Sequence, residues 1–79
     1  MAFGARQDDD KSWRLCLRKG RIIRHAGGHP IKFSSQAKAK ACADALNEKF
    51  WDRNKKELTM EKYPPDGEAM FELIKEFAI

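Results

Sequence analysis

The chain has 79 residues, 42% apolar and 35% charged, with a net charge of +4. That length leaves room for one small domain with one modest core, and the composition excludes an intrinsically disordered chain. No apolar stretch reaches the roughly 20 residues a membrane-spanning helix needs and none near the start suits a signal peptide, while two cysteines are too few for a secreted disulfide framework, so a cytoplasmic protein with reduced thiols is expected.

Residues 1–11 lack periodicity and carry the acidic run Asp8, Asp9, Asp10, which predicts a mobile tail ahead of a single domain over residues 12–79. From Ser12 the pattern alternates, with Trp13, Leu15 and Leu17 on one side and Arg14, Cys16 and Arg18 on the other, the signature of a strand with one buried face. Lys19 and Gly20 then supply a turn, and RIIRH a second strand. A two-residue loop would leave Arg24 opposite Leu15 on the buried side. A three-residue loop with a glycine bulge instead pairs Leu15 with Ile23 and Arg14 with Arg24, which keeps both arginines outside. Ala26, Gly27 and Gly28 form a second turn signal, and HPIKFS reads as a third strand with Ile31 and Phe33 inward and Lys32 outward. Pro30 lacks an N–H and belongs at the start of that strand or at a sheet edge.

Ser34 and Ser35 offer an N-cap for a helix over residues 36–54, in which Ala39, Ala43, Leu46 and Phe50 share one face while Lys40, Asp44, Glu48 and Asp52 lie on the polar side. In residues 55–63, Leu58 and Met60 alternate with polar neighbours and predict a short fourth strand. Pro64 and Pro65 end it, and Asp66 caps a terminal helix, EAMFELIKEFAI, whose apolar residues Met70, Phe71, Leu73, Ile74, Phe77 and Ile79 require a packing partner. Phe50, Trp51 and Tyr63 are expected in the core. The fold class is therefore α+β in the order βββαβα: a three-stranded antiparallel sheet on one helix, a short fourth strand, and an apolar C-terminal helix. That last helix either completes the core or offers a homodimer surface.

Charge is segregated along the chain: residues 1–10 hold one Arg and three Asp, residues 11–40 hold nine Lys or Arg and no acid, and residues 41–79 hold six bases and nine acids. Such asymmetry speaks to partners rather than to fold. The stretch RKGRIIRHAGGHPIK, residues 18–32, concentrates it. Arg14, Arg24 and Lys32 are expected to project from one sheet face, Arg18, Lys19 and Arg21 to crown the hairpin turn, and His25 and His29 to flank the next turn, together forming a surface for phosphates. Catalysis is not expected, because the chain has no G-x-S-x-G, no phosphate-cradling glycine loop and no carboxylate pair in an apolar setting. No cofactor is expected either. His25 and His29 have an H-x3-H spacing that Cys16 and Cys42 could complete, but without a paired-ligand knuckle no metal is expected. Trp13 and Phe33 alternate with the bases and so point inward, which argues against a base-stacking platform.

Residues 12–50, with Trp13 in an opening strand, Gly20 at the hairpin, Phe33 ending a third strand, and Ser35 and Ala39 leading into a helix, resemble the arm-type amino-terminal DNA-binding domain of phage integrases. That resemblance implies a three-stranded sheet that lays its open face in the major groove, and contacts from Arg14, Arg18, Arg24 and Lys32. Residues 57–79 go beyond what that module needs. In size and in having one sharply charged side, the chain is also similar to small phage-encoded anti-CRISPR inhibitors, which implies docking on an acidic protein surface or competition with nucleic acid. The expectation is a non-enzymatic binding protein whose basic hairpin meets nucleic acid, DNA before RNA, or alternatively a host nucleic-acid-handling complex that it inhibits.

Overall fold

Strand β1 (Phe3–Gln7) runs antiparallel to β2 (Trp13–Leu17), with Phe3 opposite Leu17, Ala5 opposite Leu15 and Gln7 opposite Trp13; β3 (Ile22–Ile23) lies on the other side, with Ile23 opposite Leu15. The computed structural model describes residues 3–17, 20–52, 54–58 and 67–78. The β2–β3 hairpin has the expected register. Leu17 N–H donates to Arg21 O at 2.8 Å, Gly20 N–H donates to Leu17 O at 2.7 Å, and Gly20 takes φ +85°, the bulge conformation that glycine adopts without strain.

The three-stranded antiparallel sheet is present, but its third strand is not HPIKFS. It is Phe3–Gln7, within the segment expected to be a mobile tail. Two features order it: Phe3 is buried in the core, and its backbone is held by helix α1 (Gln36–Phe50). Asn47 Oδ1 accepts from Phe3 N–H at 2.8 Å, and Asn47 Nδ2 donates to Phe3 O at 2.9 Å. A side-chain amide thus stands in for the next strand at one end of the sheet edge and satisfies groups that would otherwise be open to pairing.

Beyond Ile23 the chain leaves β2 as a small hairpin, β4 (His25–Ala26) paired with β5 (His29–Pro30), turning through Gly27 and Gly28 at φ +59° and +81°. It returns to β2 only at Phe33, whose N–H donates to Trp13 O at 2.9 Å. Ile31 and Phe33 are buried and Lys32 is exposed, as the alternation requires.

Helix α1 starts at its expected cap, Ser35, whose hydroxyl accepts from Lys38 N–H at 3.3 Å. It buries Ala39, Cys42, Ala43, Leu46 and Asn47 against the sheet, and Phe50 is half buried. It ends at Phe50 rather than residue 54, because Asp52 draws the backbone into a turn by accepting from Asn54 N–H at 2.9 Å and Lys55 N–H at 3.2 Å. Trp51–Asp52 becomes β6 and pairs with β7 (Glu57–Leu58), so the short additional strand exists and its partner is the end of the helix connection. Met60, Tyr63, Pro64, Pro65, Asp66 and Ile79, on which other expectations fall, lie outside the described residues.

Helix α2 (Gly67–Ile74) packs beside α1 and against β4. Met70 and Ile74 enter the same buried cluster as Leu15, Ile31 and Leu46, so this helix completes the chain's own core. Its expected continuation to residue 79 tightens after Ile74 into turns over residues 75–77, with Phe77 and Ala78 N–H both donating to Ile74 O at 2.9 Å.

Candidate functional site

Alternation along the sheet puts Leu15, Leu17 and Ile23 inward and assigns Gly4, Arg6, Arg14, Cys16 and Ile22 to the outer face. Arg6 is exposed, and Cys16 and Ile22 are half exposed. Arg6 reaches to the hairpin turn, where its Nη1 donates to Gly20 O at 3.0 Å; a Cβ on Gly20 would stand 2.8 Å from that nitrogen.

Arg14 is not a free surface cation. Its side chain is only 12% exposed and sits in the notch where β3 parts from β2, with Nη1 donating to Ile31 O at 2.7 Å and Nη2 donating to Asp10 Oδ2 at 3.1 Å. Its Nε lies 2.9 Å from Asp8 Oδ2. Arg24 is half exposed, yet it too is engaged: its Nε donates to Asp8 Oδ2 at 2.8 Å and its Nη2 to Asp8 Oδ1 at 2.9 Å. Arg14 and Arg24 therefore do come together, as the register implies, but around a carboxylate.

That carboxylate is built by the loop of residues 8–12. Asp8 N–H donates to Ser12 O and Lys11 N–H to Asp8 O, both at 2.9 Å, with Lys11 at φ +66°. Asp8 Oδ1 accepts from Asp9 N–H at 2.8 Å, and Asp10 Oδ1 accepts from Ser12 N–H at 2.9 Å. The hydrogen bonds of Arg24, then that of the Asp9 amide, lower the Asp8 pKa despite its desolvation. Ser12 N–H is the first cause that brings Asp10 down to about 2, with Arg14 adding to it. The acidic run expected to lie in a mobile tail instead supplies, through Asp8 and Asp10, the counter-ions of Arg14 and Arg24.

The remaining expected contacts divide by position. Arg21, Arg24, His25 and Lys32 are exposed, whereas Arg18 and Lys19 lie outside the described residues. His25 and His29 do not converge: the β4–β5 register sets Ala26 opposite His29 and His25 opposite Pro30, so the histidines project from opposite faces of the hairpin. The His29 ring stacks on Phe71 of α2, with centroids 4.2 Å apart and planes 13° apart, which ties the hairpin to the C-terminal helix. This geometry does not bring the H-x3-H pair together as metal ligands. Cys42 is fully buried in α1, its thiol pushed up to about 12 by desolvation, and Cys16 lies on the outer face. Among the described residues no three His, Cys, Asp or Glu side chains are grouped to hold a metal.

Sequence reasoning missed Asp8, Asp10, Arg6 and Asn47. The first two left a signal in DDDKS, a cluster of turn-forming residues between FGARQ and the alternating WRLCL, which is hairpin punctuation as much as a charged leader. Among the described residues no helix is long and apolar enough to cross a membrane. No family model, curated protein or solved structure matches the chain.

Proposed function

We propose that the protein is a non-enzymatic binding module that takes nucleic acid, DNA before RNA, on the exposed cations of its β2–β5 side. The observation that carries this reading is the run of residues 11–43, which contains no carboxylate while Arg21, Arg24, His25, Lys32, Lys38 and Lys40 are exposed. Even after the three aspartates of residues 8–10 are set against it, the first forty residues keep ten Lys or Arg against three acids. A surplus of that kind favours phosphate over a neutral partner. Of the contacts that the resemblance to the integrase arm domain implies, Arg24 and Lys32 are exposed and Arg14 is engaged with Ile31, Asp8 and Asp10, while β1 takes the place of the third strand that the resemblance implies.

The test is the salt dependence of duplex binding by the full chain. Roughly three to five phosphate contacts predict a slope of log affinity against log salt of about −0.9 per contact. Lys32→Ala should flatten it by about one unit, whereas Lys75→Ala should leave it unchanged, since Lys75 is paired with Glu72 at 2.8 Å on α2. A folded Arg21→Ala/Lys32→Ala double variant that binds DNA as tightly as the parent contradicts the reading.

A second reading, a phage-encoded inhibitor of the anti-CRISPR type, is favoured by one observation: exposed Asp9 stands beside the cations of this side. Mixed charge suits a protein surface better than a phosphate backbone. A partner captured from extract and retained after nuclease treatment supports this second reading, and one lost on treatment supports the first.

A further inference from the structure

We propose that Asp8 is an internal competitor for the nucleic-acid surface: it occupies Arg24 in the place of an external phosphate and yields it when a polyanion binds. The inference rests on the nucleic-acid reading above and adds a regulation of the same site. A carboxylate receiving two parallel N–H groups of one guanidinium has the geometry that an arginine also offers to phosphate, and Asp8 holds Arg24 in that way through Nε and Nη2.

The two arginines around Asp8 are not equivalent. Arg14 is anchored independently, by Ile31 O and by Asp10. Arg24 is 51% exposed, and its described side-chain hydrogen bonds all go to Asp8. Breaking an ion pair whose carboxylate is 5% exposed ordinarily costs much because a buried charge is left alone. Here the second guanidinium prevents that. Arg14 Nε is buried and 2.9 Å from Asp8 Oδ2, yet makes no hydrogen bond, while the same oxygen accepts from Arg24 Nε. When Arg24 swings out, Oδ2 turns to the waiting Arg14 Nε–H, and the Asp9 amide keeps Oδ1. The buried carboxylate gives up two donors of Arg24, regains one from Arg14 and keeps the Asp9 amide, and the exposed arm is released to solvent.

The experiment measures binding of a labelled duplex oligonucleotide to the full chain as wild type, Asp8→Asn, Arg24→Ala and the double variant, each checked for a cooperative thermal transition. Asp8→Asn should bind roughly three- to tenfold more tightly, with a salt slope steeper by about one. Arg24→Ala should cancel that gain, so that it costs more in the Asp8→Asn background than in the wild type. A folded Asp8→Asn protein that binds no more tightly than the wild type overturns the competitor role and leaves the nucleic-acid reading standing. Failure of both proteins to bind overturns the two together. Should Asp8→Asn not fold, the arginine Nε–H resonances of the wild type decide: duplex should shift Arg24 and move Arg14 downfield as it gains its hydrogen bond, whereas bound duplex with both resonances unmoved overturns the proposal.

Discussion

The two faces of β2 are held by different physics one residue apart. Leu15, facing inward, is fully buried among Ile31, Leu46, Met70 and Ile74, and what holds it is area removed from water. Arg14, facing outward, is nearly as enclosed, but its Nη1 and Nη2 donate to Ile31 O and Asp10 Oδ2, and its Nε is ion-paired with Asp8 Oδ2 without a hydrogen bond. The inner face depends on volume and tolerates exchange among apolar residues of similar size; the outer face depends on charge and direction and tolerates little. Basic composition therefore overstates the cations open to a partner, because part of the charge is consumed in closing the sheet.

Breaking the inner face should have the largest effect. Leu15→Ala removes a fully buried side chain at the centre of the sheet and should cost about 2–5 kcal/mol in chemical denaturation, against less than about 1.5 kcal/mol for Leu15→Met. Equal losses for the two would show that volume is not what holds this face. Next comes Arg14→Met, which keeps the stem but strips the donors from Ile31 O and Asp10, for an expected cost of about 1–3 kcal/mol. If Arg14→Met were neutral, the outer-face cluster would be decoration.

Asn47→Ala sharpens the contrast, since Asn47 is the polar exception on the helix side. It opens both backbone groups of Phe3, and hydrogen exchange should rise first at Phe3, at a cost of about 1–2 kcal/mol. Smallest is the acid response. The folded pKa values of Asp8 and Asp10 are depressed below the ordinary 3.8, that of Asp10 to about 2, so their stabilisation is whole above the ordinary value and is lost as pH falls through the depressed ones. Asp10→Asn should flatten that acid limb slightly while leaving stability near neutral pH little changed, because Asp10 is half exposed. An unaltered limb would mean that the loop is not coupled to folding.

What the sequence showed plainly was local. The alternation from Trp13 to Leu17, the Gly20 bulge, the Ser35 cap and the apolar stripe of α1 each follow from spacing within a few residues, and each stands in the structure. The misses were non-local. FGARQ has too few apolar residues to announce a strand, and its order depends on Asn47, forty-four positions away. Nothing in the spacing of Asp8 to Arg24 shows that they meet, so a counter-ion loop reads as a tail. His25 and His29 looked like neighbours because three residues separate them, but a two-residue turn sets them on opposite faces. The candidate site was thus legible as a region and not as a set of free side chains.

The functional reading stands or falls on whether nucleic acid is bound by the exposed cations of the β2–β5 side, with Arg24 shared between Asp8 and the polyanion. Its most direct test is a map of backbone and side-chain resonance changes as a duplex oligonucleotide is added to the full chain at low salt. The account predicts changes concentrated at Arg21, Arg24, His25 and Lys32, with Glu68 and Glu72 on the exposed side of α2, and Glu76 in the turn after it, unaffected. Binding that leaves those four residues unperturbed and instead moves α2, or no binding at a salt concentration where a cationic surface must engage DNA, would contradict it.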